Sequence, residues 1–251
     1  MTGNQAEFLS NLRRTLGRPH DAPPLAISDA TALGRDAGEV ARRAESIRGR
    51  AQEDADALAD ELETAAALAG WKVARVASTQ DAAGYIADLV RELEALSVVR
   101  SAQAVVERLD LEGVLSGAGV QVNAMAVREG SDESSADEQR SAMRQHAIDA
   151  DLGITGVDYA IAETGTCVLL PRKGISRLVS LLPPVHVAIV ERGQVLPGLD
   201  EFFALRRAHS LGGDLGSYMT LITGPSRSAD IEYTIVTGVH GPGEVHMLLL
   251  G

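Results

Sequence analysis

The chain has 251 residues and a formal net charge of −12, with 45% apolar, 23% charged and only 3% aromatic residues. This composition is globular rather than disordered or fibrous, and its acidic balance opposes general binding to nucleic acid or to an anionic membrane. The single cysteine, Cys167, excludes an intrachain disulfide and cannot supply the set of thiolates that an iron–sulfur cluster needs.

At a usual domain size of about 100–200 residues, the length suits one large domain with an extension. The first twenty residues lack the apolar core of a signal peptide, and the longest apolar stretch, 178–190, is broken by Pro183 and Pro184. A cytoplasmic protein is expected. In chain order, Phe8, Leu9, Leu12 and Leu16 fall at helical spacing, and Gly17 with the run RPHDAPPLAISDA then reads as linker. Residues 1–35 are thus expected as a helical arm and linker that makes self-association plausible, and residues 36–251 as the main domain. From Glu39 to Ala69 the Ala-, Glu- and Arg-rich sequence predicts one long or two short helices, stopped by Gly70.

Beyond Gly70 the period switches. Trp71–Ala77 alternates like a strand, Asp81–Leu96 is helical and Ser97–Ser101 is a short strand, which is the length of a βαβ unit. Gly119–Val127 and Ala136–Asp151 repeat the strand–helix pattern across the acidic connector 129–135. The alternation predicts an α/β domain with a mostly parallel sheet. Val157–Ala162 and Thr166–Leu170 predict an antiparallel pair, Val185–Val190 a buried strand, 194–197 a turn and Leu199–Ala208 a helix. Ser217–Thr223 reads as a strand. Ser228–Thr237 fits either a strand or a helix, and the Ile231/Ile235 spacing with Gly238 behind it favours the helix. Glu244–Leu250 is a strand inside the sheet.

Three small-residue loops are read as falling just after apolar strands, where open sheets place ligand crevices. In the first, Glu163 stands beside Thr164, Gly165 and Thr166 at a turn. It either hydrogen-bonds nearby amides and shapes the turn, or acts as a buried nucleophile or base. The second runs through Gly224, Ser226, Arg227, Ser228 and Asp230, whose donors at a helix start would bind a phosphate or carboxylate, with capping and an Arg ion pair as the plainer reading. The third places His240 between glycines, as acid, base or structural residue. No histidine pair has metal-ligand helical spacing, no Gly-x-Ser-x-Gly elbow or Gly-x-Gly-x-x-Gly is present, and only Lys72 and Lys173 are available for a Schiff base. Neither a metal nor a cofactor is expected on the chain.

Taken together, GITGVDYAIAETGT at 153–166, RLVSLLPPVHVAIV at 177–190, SYMTLITGPSRSADIE at 217–232 and GVHGPGEVHMLLLG at 238–251 resemble the LutC/YkgG family, the lactate utilization protein C group that carries the LUD domain. The opening AEFLSNLRRTLGR is similar to that family's N-terminal arm. The resemblance implies a three-layer α/β/α fold shared with glucosamine-6-phosphate deaminase, ribose-5-phosphate isomerase and coenzyme A transferases (NagB/RpiA/CoA transferase-like). It also implies the cluster-free member of a cytoplasmic system oxidising L-lactate to pyruvate, whose partner proteins carry the iron–sulfur clusters. The Glu163-Thr-Gly165 sequence is similar to the glutamate and glycine used by family I coenzyme A transferases, which implies, as the alternative, an enzyme acting on a small acid, thioester or phosphate ester. The lone cysteine agrees with a cluster-free role.

Overall fold

A computed structural model describes residues 10–12, 14–15, 36–126, 133–172, 175–211, 218–229 and 235–251. The chain divides into two compact units, residues 1–40 and 41–251. In the first, residues 10–12 and 14–15 are helical, and Thr15 Oγ1 donates to the Asn11 carbonyl at 3.0 Å. The remainder of the expected arm, the whole of the linker and the start of the acidic connector fall outside the described residues.

The Ala-rich segment forms two helices, α1 (Ala37–Glu53) and α2 (Ala55–Ala69). Gly70 ends α2 in the left-handed conformation at φ 102°, where its N–H reaches the carbonyls of Ala66 and Ala67. Glycine alone adopts that cap without a Cβ penalty. Leu58, Leu62 and Ala66 lie one turn apart on the buried face of α2. After β1 (Lys72–Val76), Ser78 caps α3 (Thr79–Glu92) by accepting the Asp81 amide, and α3 buries Ala82, Ile86, Leu89 and Val90. β2 (Ser97–Arg100), the short helices α4 (Ala104–Glu107) and α5 (Leu111–Leu115), β3 (Gln121–Ala124) and α6 (Glu133–Ile148) follow.

Next come β4 (Leu152–Gly156), β5 (Tyr159–Ile161), a 3-10 turn (Ala162–Thr164), β6 (Thr166–Leu169), α7 (Leu178–Leu181), β7 (Val185–Glu191), β8 (Val195–Leu196) and α8 (Leu199–Leu211). The chain closes with β9 (Thr220–Ile222), β10 (Arg227–Ala229), β11 (Ile235–Thr237) and β12 (Glu244–Leu250).

Six strands form an all-parallel sheet in the order β1-β12-β7-β4-β2-β3. The α/β class with a mostly parallel central sheet is therefore as expected. One face packs on α3, α4 and α5 through Ile86, Leu111, Ile154, Val187 and Leu248. The other packs on α1, α2 and a smaller sheet, ordered β8-β5-β6-β9, through Leu62, Trp71, Cys167, Val190 and Met247. The central strands β7 and β12 are apolar along nearly their whole length because they are covered on both faces.

Three expectations need correction. Residues 152–156, quoted only as a motif, form a central strand whose Gly153 lets the Val179 carbonyl lie where a Cβ would stand. The turn expected at 194–197 contains β8, which adds to the small sheet beside β5. The helix favoured over 228–237 is replaced, in its described residues, by two antiparallel strands with Arg227 opposite Thr237. Ile235, Val236 and Thr237 are all β-branched, and this preference outweighs the two isoleucines at helical spacing. Gly238, at φ 87°, ends a strand rather than a helix, and its N–H donates to the Ser226 carbonyl.

Candidate functional site

The main sheet has a topological switch point between β2, which leads outward to β3, and β4, which leads back to β7. Open parallel sheets usually bind ligands there, at the carboxyl ends. Here the place is packed solid: Ser101 and Gln103 are buried and bonded to each other at 2.7 Å, and Val105 and Gln103 occupy the space beside Gly156.

A concave surface that gathers several of the candidate residues lies instead near the amino end of β12. A cavity of about 380 Å³ opens between Arg177 and α7, strand β9, the turn at 223–226 and the loop at 240–242, with Val245 at its floor. The turn is held in place by backbone bonds from Ser226 N to the Pro242 carbonyl at 2.8 Å and from Gly238 N to the Ser226 carbonyl at 2.9 Å. Gly224, at φ 86°, lies against the Ala69 carbonyl, a position no side chain could share. Arg177, His240, Ser180, Thr220, Thr223 and Ser226 bring positive charge and hydroxyl groups to the wall, and among the described residues no Asp or Glu lines it. In a chain of net charge −12, that is a local inversion of electrostatic sign. The Arg177 guanidinium also stacks 5.1 Å from the Tyr218 ring centre, which restricts its rotamers and fixes its charge.

The sequence candidates divide around this cavity. Gly224, Ser226 and His240 line it. Thr164 and Thr166 reach it indirectly, through a chain of hydroxyl bonds from Thr164 to Thr166 to Thr223, each 2.7 Å long. Gly165, at φ 65°, packs on the backbone of Ala66 and positions that turn. Glu163 does not line the cavity; it is exposed, and its Oε1 accepts the Leu199 amide at 3.1 Å at the start of α8. Arg227 also stands outside the lining, donating from Nη2 to the Ala69 carbonyl at 3.0 Å at the end of α2. Ser228 is paired in the hairpin opposite Val236, so no helix start gathers donors there, and Asp230 lies outside the described residues. Arg177, Ser180 and Thr223 are additions from the structure. Arg177 stood in one of the motifs that carry the family resemblance, yet nothing in local periodicity turns it toward a ligand.

A second polar group, also unforeseen, joins the amino ends of β1 and β12. Lys72 donates to Glu244 at 2.5 Å, Glu244 bonds His246 Nε2 at 2.7 Å, and His246 Nδ1 bonds the Tyr85 hydroxyl at 2.8 Å. A carboxylate only accepts, so Nε2 carries the proton and the neutral ring accepts from Tyr85. Burial pushes the His246 pKa down against the opposing pull of Glu244, whereas the Lys72 hydrogen bond holds the Glu244 carboxyl below its ordinary range. Lys72 and Tyr85 are both pushed up, so neither is an activated nucleophile, and the group ties the edge strand β1 to the sheet. Cys167 is fully buried with its thiol pushed up by desolvation, which fits a core role. Among the described residues, no cluster of His, Cys, Asp and Glu is arranged to hold a metal ion, and no helix is long and apolar enough to cross a membrane.

The fold and cavity thus define an α/β protein with a parallel sheet and a hollow beside its last strand lined by Arg177, His240 and hydroxyl side chains. The LUD domain model matches residues 59–250, and the chain belongs to that family. It is similar to lactate utilization protein C of Halalkalibacterium halodurans, with 43% identity over 99 residues, covering 39% of this chain and 43% of that protein. Lactate utilization protein B of Bacillus velezensis is 26% identical over 249 residues, covering 82% of this chain and 51% of the relative. The chain therefore spans about half, or less, of the length of these relatives. A crystal structure of a DUF162 family protein from Deinococcus radiodurans shares the fold, with a TM-score of 0.51 and 20% identity over 78% of this chain and 98% of that one.

Proposed function

We propose that the protein is a cluster-free, LutC-type component of a cytoplasmic system that oxidises L-lactate to pyruvate, working beside partner proteins that carry iron–sulfur clusters, and that its cavity binds a small carboxylate. The observation that carries this reading is the cavity itself, where Arg177 and His240 meet four hydroxyl side chains and, among the described residues, no carboxylate, on an otherwise acidic chain. A guanidinium fork pairs with a carboxylate in bidentate fashion, and Ser or Thr hydroxyls suit the 2-hydroxyl of lactate or the 2-oxo group of pyruvate. The names of the relatives supply the pathway, and the single cysteine supplies the assignment of electron transfer to partners.

Calorimetric titration of the full chain with L-lactate and with pyruvate tests the binding half. Either acid at 100 times its dissociation constant would stabilise the fold by about 2.7 kcal/mol. Arg177→Gln is expected to weaken binding by about tenfold or more, since charged hydrogen bonds contribute about 1.5–3 kcal/mol. Co-purification with the cluster-bearing proteins of the same system tests the other half. Absence of both acid binding and partner association would overturn the reading.

A further inference from the structure

Thr223, in the wall of the cavity beside Arg177, is the outer end of a hydrogen-bonded line that runs inward through Thr166 to Thr164. Strand register builds this line. β6 and β9 are antiparallel with Cys167 opposite Ile222, so Thr166 and Thr223 face each other one residue past the last paired position. Next to them stand Gly165 and Gly224, both left-handed and both pressed on the last turn of α2, at the backbone of Ala66 and at the Ala69 carbonyl. Two close approaches to one helix fix the spacing of the chain here, and the cross-strand pair of threonines inherits it.

The three threonines differ in their access to water. Thr166 is 3% exposed, Thr164 is half-buried and Thr223 is exposed. A hydroxyl carries one proton and two lone pairs, so a line of three has two complete arrangements. In one, the protons point outward, from Thr164 to Thr166 to Thr223, and Thr223 donates its own into the cavity. In the other they point inward, Thr223 turns a lone pair to the cavity, and Thr164 gives the last proton to solvent. Both ends of the line reach water, so neither arrangement leaves a buried proton unpaired. The buried middle hydroxyl is the one that must turn whenever the outer end turns.

A 2-oxo acid and a 2-hydroxy acid call for these two arrangements. The oxo oxygen only accepts, whereas the hydroxyl also has a proton to place. We propose that Thr166 is a positioning residue that, through Thr223, presents a donor to the 2-oxo group of pyruvate and an acceptor to the 2-hydroxyl of L-lactate, and so sets the ratio of their affinities. This rests on the small-carboxylate reading of the cavity and adds the device by which the site serves an acid and its oxidised form. In Thr166→Val, Thr223 keeps its proton for the oxo group but loses the inward acceptor that frees its lone pair for lactate.

Calorimetric titration of the full chain with L-lactate and with pyruvate, in the wild type and in three variants, tests this role. Thr166→Val is expected to weaken L-lactate about fivefold and pyruvate by less than about twofold, so that the ratio of the two constants moves. Thr166→Ser, which keeps the hydroxyl, is expected to restore the wild-type ratio. Thr164→Val removes the inner end of the line and is expected to shift the ratio in the same direction as Thr166→Val. A merely structural role at 166 would move both constants together. A wild-type chain that binds neither acid overturns the carboxylate reading and this inference with it. A wild type that binds only one of them, an unaltered ratio in Thr166→Val, or Thr166→Ser matching Thr166→Val overturns this inference alone. Should Thr166→Val fail to fold, the ratio in Thr164→Val decides in its place, and an unaltered ratio there overturns the inference.

Discussion

The large parallel sheet and the small sheet beside it use similar residues to opposite ends. In β7 and β12 nearly every side chain is buried, polar ones included: His186 and His246 are at most 2% exposed, and the usual ligand position between β2 and β4 is filled. Around the small sheet and its neighbouring hairpin, Leu221, Val236 and Val239 are exposed, and the cavity beside Arg177 opens there. The contrast teaches that the centre of the parallel sheet is closed by packing on both faces. The cavity wall is built from antiparallel additions, whose backbone turns are held by a few bonds rather than by two packed faces.

The largest effect that would sharpen this division is in the scaffold. His186 Nε2 bonds Thr155 Oγ1 at 2.9 Å, while its Nδ1 has no hydrogen-bond partner among the described residues. Burial, aided by His246, pushes its pKa down to about 3. The unfolded chain takes up a proton near the ordinary value of about 6.5, so the folded state binds fewer protons between these limits. Stability is full above that upper limit and is lost as the pH falls, on the order of 1.4 kcal/mol per unit and about 5 kcal/mol in all. Urea unfolding between pH 7.5 and 4 should show this acid limb, and His186→Gln should flatten it. An equally steep limb in the variant would remove His186 as the cause.

Next in size is the hinge between the two regions. Adding a Cβ at Gly165 would place it 2.5 Å from the Ala66 backbone while forcing a left-handed conformation on the residue. Gly165→Ala should cost roughly 3 kcal/mol, read by urea unfolding. Because Thr164 and Thr166 flank it and bond toward Thr223, the same change should also loosen the cavity wall and weaken lactate binding. A stable variant with intact binding would show that the hydroxyl chain does not position the site.

The difference between the regions also explains what could be read in the sequence. β7 and β12 were legible because burial on two faces leaves a run such as Leu248 to Leu250, and the β5–β6 pair was legible from its turn. β4 was not, since Gly153, Thr155 and Gly156 give it neither alternation nor an apolar run. The bond network from Lys72 to Tyr85 depends on the parallel register that sets Lys72 beside His246, which no local pattern encodes. For the site, Gly224, Ser226 and His240 were found as small-residue loops. Arg177 was not, because its approach to the cavity follows from how α7 meets β9, two elements separated by nearly forty residues.

Smaller effects are expected where polar side chains serve only as caps. Glu163 Oε1 accepts the first amide of α8, so Glu163→Ala should lose about 1 kcal/mol, while Glu163→Gln, which still offers a carbonyl oxygen, should lose less. Thermal unfolding of the two variants separates capping from a need for charge. Equal losses would show that the carboxylate's charge, not its acceptor oxygen, holds the helix start.

The smallest expected effect bears most directly on the comparison, because it sets Arg227, at the start of β10, against Arg177, just before α7. Arg227 bonds the last carbonyl of α2 from an exposed position, and a bond of that kind contributes about 0.5–1.5 kcal/mol at most. Arg177 lines the cavity without an acidic neighbour in the wall among the described residues. Arg227→Gln should therefore shift the unfolding midpoint slightly and leave lactate and pyruvate affinities as they were, whereas Arg177→Gln should do the reverse. Measuring both constants in both variants makes the outcome a crossed pair. If Arg227→Gln abolished binding and Arg177→Gln spared it, the anion would have to sit at the end of α2 rather than beside β9, and the proposed site in the cavity would be overturned.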